Sequence, residues 1–336
     1  MRYFFYSVLI LMLLVFSAAV FTVYKLNLPA ETIPEEGAVV TVSSGESLGR
    51  IALNLEEKGI IRSALFLRLL SRLKGTEQQF KSGEYMVMPG MSALEVHNII
   101  VSGSGILVKV TIPEGRTLSQ TAEIIEAANI TDAESFLKAA ESRRIIEKYN
   151  IPGETLEGYL YPDSYLFSSG YSAEKAVEFM VENFFRNMEK IYPDYSSLTS
   201  EDIHEKVVLA SIVEREYRVA DEAPLMASVF KNRLEINMPL GSCATVGYVI
   251  SEIQNKPHPE FLTYDDLKIE SEFNTYIRYG LPPAPICSPG KVALNAAFYP
   301  ADTDYLYFLL KDRITGRHYF SRRLSEHNQA RILYLK

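Results

Sequence analysis

The stretch VVLASIVEREY, residues 207–217, puts a carboxylate where a helix would bury one. At 100° per residue, Leu209, Ile212, Val213 and Glu216 fall within one stripe about 100° wide, while Glu214 points elsewhere. A carboxyl pressed against apolar surface keeps its proton to higher pH, because burial disfavours the charged form. A general acid working near neutrality needs that property. The other reading is that Glu216, at the C-terminal end of its helix, reaches water or an arginine. The helix expected over 222–235 repeats the device with opposite sign: Met226, Val229, Phe230 and Arg233 share a face. A buried guanidinium needs an acceptor. Glu157 and Asp163, in LEGYLYPD (156–163), are the candidate partners; an arginine snorkelling from a helix end fits the same spacing.

A third segment, ESEFNTYIRYGLPPAPICSPG (270–290), carries Pro282, Pro283, Pro285 and Pro289 and so cannot be regular structure. An ordered loop of this kind, presenting Asn274, Thr275 and Tyr276, suits a cleft wall, or else a purely structural loop. Tyr159, Tyr161, Tyr165 and Phe167 can stack on sugar faces, although core packing is the commoner use of such residues. Other chemistries lack their residues. The five histidines (97, 204, 258, 318 and 327) show no metal-binding spacing. There is no Gly-x-Ser-x-Gly elbow, no SxxK and no phosphate-cradling loop. Neither Cys243 nor Cys287 sits beside an evident base, and two cysteines alone make neither a disulfide scaffold nor a tetrahedral metal site.

These residues must be held by something large. The chain has 336 residues, 47% of them hydrophobic, which excludes global disorder. Its 42 acidic residues outnumber 34 basic ones, for a net charge of −8, and nothing supports a nucleic-acid surface. Residues 3–24 contain no charge. About 20 apolar residues cross a hydrocarbon layer of roughly 30 Å, and this run exceeds a usual signal-peptide core. Arg2 and the α-amine precede it, and Lys25 and then Glu31, Glu35 and Glu36 follow. The charge rule then puts the N-terminus in the cytoplasm and the body outside a plasma membrane. A cleaved signal peptide, with Ser17-Ala18-Ala19 at its cleavage site, is the alternative. The expected divisions are an anchor (1–24), a spacer (25–37, two prolines and three acids), and two folded units.

The first unit, 38–125, repeats a layout three times: VVTVSSGESLGRIA (39–52), EYMVMPGMSALEVH (84–97) and VKVTIPEGRTLSQTA (108–122). Each is a strand-like run, then Gly-x-Ser/Thr, then a helical pattern. The glycine allows positive φ, and Ser47, Ser92 and Thr117 are natural N-caps. Ser92 with Glu95 forms a capping box. Leu48, Ile51, Ala52 and Leu55 share a face. A further helix over 64–74 has Ser63 as cap and Gly75 as stop. Such units resemble LysM modules, which bind N-acetylglucosamine-containing glycans. The second unit, 126–336, reads as mostly helical to 205, then a strong helix, Pro- and Gly-rich loops, a hairpin (304–310 with 317–320) and a last helix. The fold class is α+β.

Five segments in order, LEGYLYPDSY, LASIVEREY, ASVFKNRLEINMPL, FNTYIRYGLPPAPICSPG and TDYLYF, together resemble the endolytic murein transglycosylases, the MltG/YceG-like family. The resemblance spans nearly the whole chain, anchor included. It implies cleavage of the β-1,4 bond between N-acetylmuramic acid and N-acetylglucosamine inside peptidoglycan strands, leaving 1,6-anhydro ends. It implies Glu216 as the acid/base, Asn274, Thr275 and Tyr276 in the cleft, and Glu157 and Arg233 as supports. No metal or other cofactor is expected, and peptidoglycan synthases are the expected partners. The family commonly has Asp at the position of Cys243 and Gly at that of Ala284. A non-catalytic glycan-binding adaptor of the wall-synthesis machinery is the second reading.

Overall fold

Amphipathic spacing and local caps build most of the helices. The computed structural model describes residues 2–334, apart from 31, 32, 35, 36, 44, 104, 106, 169 and 170. Glu31, Glu35 and Glu36, the three acids of the spacer, therefore lie outside the described residues. The elements in order are α1 (Arg2–Asn27), β1 (Ala38–Val42), α2 (Leu48–Glu57), α3 (Ala64–Lys74), β2 (Gly83–Val87), α4 (Ala93–Ser102), β3 (Leu107–Thr111), α5 (Leu118–Ala127), α6 (Ala133–Ala140), α7 (Arg143–Lys148) and β4 (Ser164–Ser168). They continue as α8 (Ala173–Ile191), α9 (Ser200–Glu216), α10 (Ala223–Glu235), α11 (Cys243–Tyr248, prolonged as a wider turn over Val249–Ile253), α12 (Lys291–Phe298), β5 (Tyr307–Leu310), β6 (His318–Ser321) and α13 (Leu324–Tyr334). The chain is mixed α and β, with strands only in two-stranded ladders among the described residues: β1–β2, β3–β4 and β5–β6.

Helix α1 includes a stretch, Leu9–Asn27, long and apolar enough to cross a membrane and not buried against the protein. The described residues divide into two compact units, 1–109 with 166–171, and 110–165 with 172–336. In the first, β1 and β2 pair antiparallel, Val40 opposite Tyr85, and α2, α3 and α4 close over them. Its core is Val40, Val42, Ile51, Ala52, Leu55, Leu67, Tyr85, Val87, Val96 and Ile100. Alternation in β1 and the 3–4 spacing in α2 put those residues on one side. Ser47 accepts from Arg50 N–H, Ser63 from Phe66 N–H, and Ser92 and Glu95 make a reciprocal capping box. The glycine two residues before each repeated cap has positive φ: 76° at Gly45, 84° at Gly90 and 75° at Gly115. The third repeat diverges after its strand. Its helix α5, capped by Thr117 and Gln120, belongs to the second unit and packs against α6.

In that second unit α9, α10 and α12 pack on one another, α8 backs α12, and α13 covers the β5–β6 hairpin. The centre of α9 (Val207, Val208, Ala210, Ile212, Val213) is buried, which leaves its two end carboxylates at the edge of the core. The Pro-rich loop lies along α9. Ile286 N–H donates to Ser211 Oγ (3.0 Å), and Cys287 Sγ approaches Ser211 C=O (3.3 Å). His204 Nε2 meets Pro283 C=O (3.2 Å) and its Nδ1 meets Tyr159 OH (2.9 Å). A carbonyl only accepts, so Nε2 carries a proton, and in the neutral ring the buried Tyr159 donates to Nδ1. Both cysteines are free; Cys243 is exposed and Cys287 buried.

Candidate active site

Glu216 is the last residue of α9 and is half-buried, its carboxyl turned to Ser242. Burial pushes its carboxyl above the ordinary carboxylate range, opposed by a hydrogen bond from Ser242 and by the positive fields of His318, Arg215 and Arg233. Ser242 Oγ donates to Glu216 Oε1 at 2.5 Å. Glu216 opens on a cavity of about 400 Å³ whose walls include Arg215, Cys243, Gly247, His258 and Phe261. A proton held on a half-buried carboxyl at the side of such a cavity can be given to a leaving oxygen and taken back.

Arg233 stands at the end of α10. Its Nε donates to Leu306 C=O (2.7 Å) and Nη1 to Leu240 C=O (2.6 Å), with the guanidinium over the Tyr307 ring at 5.4 Å. The partners expected for it, Glu157 and Asp163, are not the ones found. Two backbone carbonyls accept from its Nε and Nη1, and the segment leading to Ser242 is thereby tied to the hairpin. Tyr276 is half-buried, its hydroxyl 3.1 Å from Cys243 Sγ. Asn274 and Thr275 lie behind the wall, at 0% and 1% exposure. The Asn274 amide donates to Leu267 C=O (3.1 Å) and Ile269 C=O (2.8 Å) and accepts from Tyr276 N–H (3.0 Å), so it pins the loop. Thr275 Oγ1 accepts from Ser242 N–H (3.0 Å). Among the described residues no group of three or more His, Cys, Asp or Glu is placed to hold a metal ion.

A model of the YceG-like family matches residues 40–332. The chain belongs to that family. Among curated relatives, the endolytic murein transglycosylase of Bacillus subtilis (strain 168) is 29% identical over an alignment of 323 residues that covers 91% of this chain and 87% of that protein. The endolytic murein transglycosylase of Streptococcus pneumoniae serotype 2 is 27% identical over 331 residues, and this chain spans 59% of its length. The crystal structure of a yceG-like protein from Listeria monocytogenes superposes with a TM-score of 0.59 at 31% identity, covering 88% of this chain and 99% of that one.

In this YceG-like chain Glu157 is grouped away from Glu216. It is 4% exposed, accepts from Leu118 N–H at 3.1 Å through Oε2, and faces Tyr248. Burial, reinforced by the nearby Glu252, pushes its pKa up to about 8. Burial likewise lifts Glu214, which accepts from Gly290 N–H at 2.9 Å, to about 7. Both groups bind a proton in the folded protein that the unfolded chain has already released, so they favour folding less as pH rises. We expect stability to fall from the ordinary carboxylate pKa up to about pH 8, by about 1.4 kcal/mol per pH unit for each proton retained. The slope should ease above pH 7 as Glu214 drops out, and E157Q should flatten the stretch between 7 and 8. Urea unfolding midpoints from pH 5 to 9 check this, and an unchanged slope in E157Q would contradict it.

Several participants carry no motif. Ser242 sits directly before Cys243, and a lone serine announces nothing. His318 is fixed by the buried Glu222, which accepts from its Nδ1 (2.9 Å) and backbone N–H (3.0 Å). An alternating His-Tyr-Phe strand gives no hint of that pairing.

Proposed function

We propose that the protein is a lytic transglycosylase of peptidoglycan, acting inside glycan strands with Glu216 as its single acid/base. The observation that carries this reading is the Glu216 carboxyl: proton-retaining, held through Oε1 and open to a cavity. The protonated carboxyl donates to the glycosidic oxygen as the muramyl C1–O bond breaks, and the departing N-acetylglucosamine leaves with a free 4-hydroxyl. The resulting carboxylate then takes the proton of the muramyl C6 hydroxyl, whose oxygen bonds to C1. A 1,6-anhydro end forms, Glu216 is protonated again, and no water is consumed. One carboxyl suffices, where a glycosidase ordinarily needs two.

Glu260 is the one specific observation favouring a hydrolase, because it lines the same cavity. It lies on an exposed segment, and no hydrogen bond among the described residues holds it in place. A base for water must be positioned, so we expect E260Q to cleave within about threefold of wild type. Mass spectrometry of products from uncrosslinked strands tests both readings. Internal cuts with 1,6-anhydro ends support the transglycosylase; hydrated reducing ends, lost in E260Q, would replace it with a hydrolase. Binding without any cut would favour the adaptor.

The remaining parts follow from this reading. Residues 1–24 would anchor the protein in the plasma membrane and 25–37 would space the body from it on the extracytoplasmic side. Segment 38–125, LysM-like, would hold the strand, with its last helix α5 packed onto the segment 126–336 that would cut it. Peptidoglycan synthases are the partners such an enzyme would meet there. Asn274, Thr275 and Tyr276 would form the cleft wall in depth, Tyr276 toward sugar and the other two behind it. Arg233 would support the acid, and Glu157 would steady the wall from its own buried site.

A further inference from the structure

We infer that Ser242 is the positioning residue of the acid: its hydroxyl orients the Glu216 carboxyl and reserves Oε2 as the oxygen that carries the transferred proton. The inference rests on the reading of Glu216 as acid/base. Ser242 occupies the N-cap position of α11 with ordinary cap angles, φ −86° and ψ 125°, yet makes no side-chain cap bond. An N-cap serine usually accepts from a backbone N–H of the first turn. This one instead gives its proton to Glu216 Oε1.

The surrounding bonds leave that hydroxyl free for the task. Ser242 N–H donates to Thr275 Oγ1 at 3.0 Å, and Ser242 C=O accepts from Thr245 Oγ1 at 2.8 Å. A hydroxyl has one proton to give. That of Thr245 is spent on Ser242, so in the Thr245–Thr275 pair, 3.0 Å apart, Thr275 must donate. Ser242, Thr245 and Thr275 are at most 2% exposed, which keeps water from competing for these bonds. The serine is thus clamped through its peptide groups on both sides, and its one mobile proton points at the acid.

Two things follow at Glu216. In the acid form, Oε1 accepts from Ser242, so the carboxyl's own proton sits on Oε2, which no described hydrogen bond engages. After that proton has left, the same bond keeps the carboxylate in line for the second transfer. The charged and titratable groups facing Glu216 are Arg215 on its own helix, Arg233 of α10, His318 of β6 and Tyr276 of the loop, with Cys243 of α11, His258 and Glu260 across the cavity.

The test is the pH dependence of strand cleavage by the full-length protein in detergent, comparing wild type, S242A, S242T and E216Q. Loss of the donor should lower kcat about 100-fold, the scale of a misplaced reacting group. It should also move the descending limb to higher pH, because the carboxylate loses a stabilising bond and the acid keeps its proton longer. S242T, which retains the hydroxyl, should restore most of the rate and the limb. If S242A does not fold, S242C gives the same reading with a weaker donor, its rate and limb lying between those of S242T and the loss predicted for S242A. A lowered rate with an unmoved limb would mean a structural role only and overturn the proposal. So would wild-type behaviour of S242A beside an inactive E216Q, and that result would leave Glu216 standing as the acid. Activity in E216Q would overturn the acid assignment itself, and this proposal with it.

Discussion

Glu216→Gln should abolish strand cleavage while leaving the fold intact. A general acid or base contributes about 10²–10⁴ to rate, and here one carboxyl would serve both transfers in a single turnover. We expect kcat to fall at least about 10³-fold, with strand binding little changed because shape and hydrogen-bond acceptance survive. The Gln oxygen can still accept from Ser242 Oγ, which holds Glu216 Oε1 at 2.5 Å. Stability should be equal or higher, since a carboxyl held above its ordinary pKa by burial is replaced by a neutral amide. The check is single-turnover cleavage of defined strands together with a melting curve. Residual activity within tenfold of wild type would remove Glu216 from the chemistry.

Gly158→Ala should be the most damaging small substitution in the second unit. Leu156 to Tyr159 forms a turn closed by Tyr159 N–H on Leu156 C=O at 3.0 Å, with Gly158 third at φ +84°. That position of a type II turn is reserved for residues able to take positive φ. A methyl there would also stand 2.6 Å from Pro285 Cγ and 3.3 Å from Val207 Cγ1. A proline ring cannot swing aside, and Val207 is in the buried run of α9. Backbone strain of about 1–2 kcal/mol adds to overpacking of about 1–3 kcal/mol. At a few degrees per kcal/mol, the melting temperature should drop on the order of 10 °C. Cleavage should fall too, because Pro285 belongs to the loop seated on α9. Gly290→Ala is the control. The nearest atoms its methyl would meet are the carboxyl and Cγ of Glu114, a flexible side chain that can move away. A melting temperature for G158A near that of G290A would refute the argument.

What the sequence made legible follows from how local each signal is. Caps depend on neighbours three residues apart, and Ser47, Ser63, Ser92 and Thr117 all cap where expected. The helical face that carries Glu216 depends on four residues within a span of eight and was equally readable. Partners across the fold are another matter. Arg233 suggested a carboxylate, but its fork ends on the carbonyls of Leu240 and Leu306, which any residue types would have presented. Ser242 reaches an acid 26 positions away, and only the folded loop brings them together. The third strand-turn-helix unit looks like the first two in sequence. Its strand nevertheless pairs with β4 and its helix with α6, because no spacing within a repeat specifies which distant segment will cover it.

The two free thiols differ in a way that makes the cleft countable. Cys287 is sealed, its thiol held protonated by burial, whereas Cys243 stands exposed on the cavity wall beside Glu216. A chromophoric thiol reagent should therefore titrate one equivalent in the native protein and the second only on unfolding. A bound strand should slow the first. The protein thus has a single-site occupancy gauge of its own, and a fluorophore or spin label placed there would follow strand arrival without engineering a new cysteine.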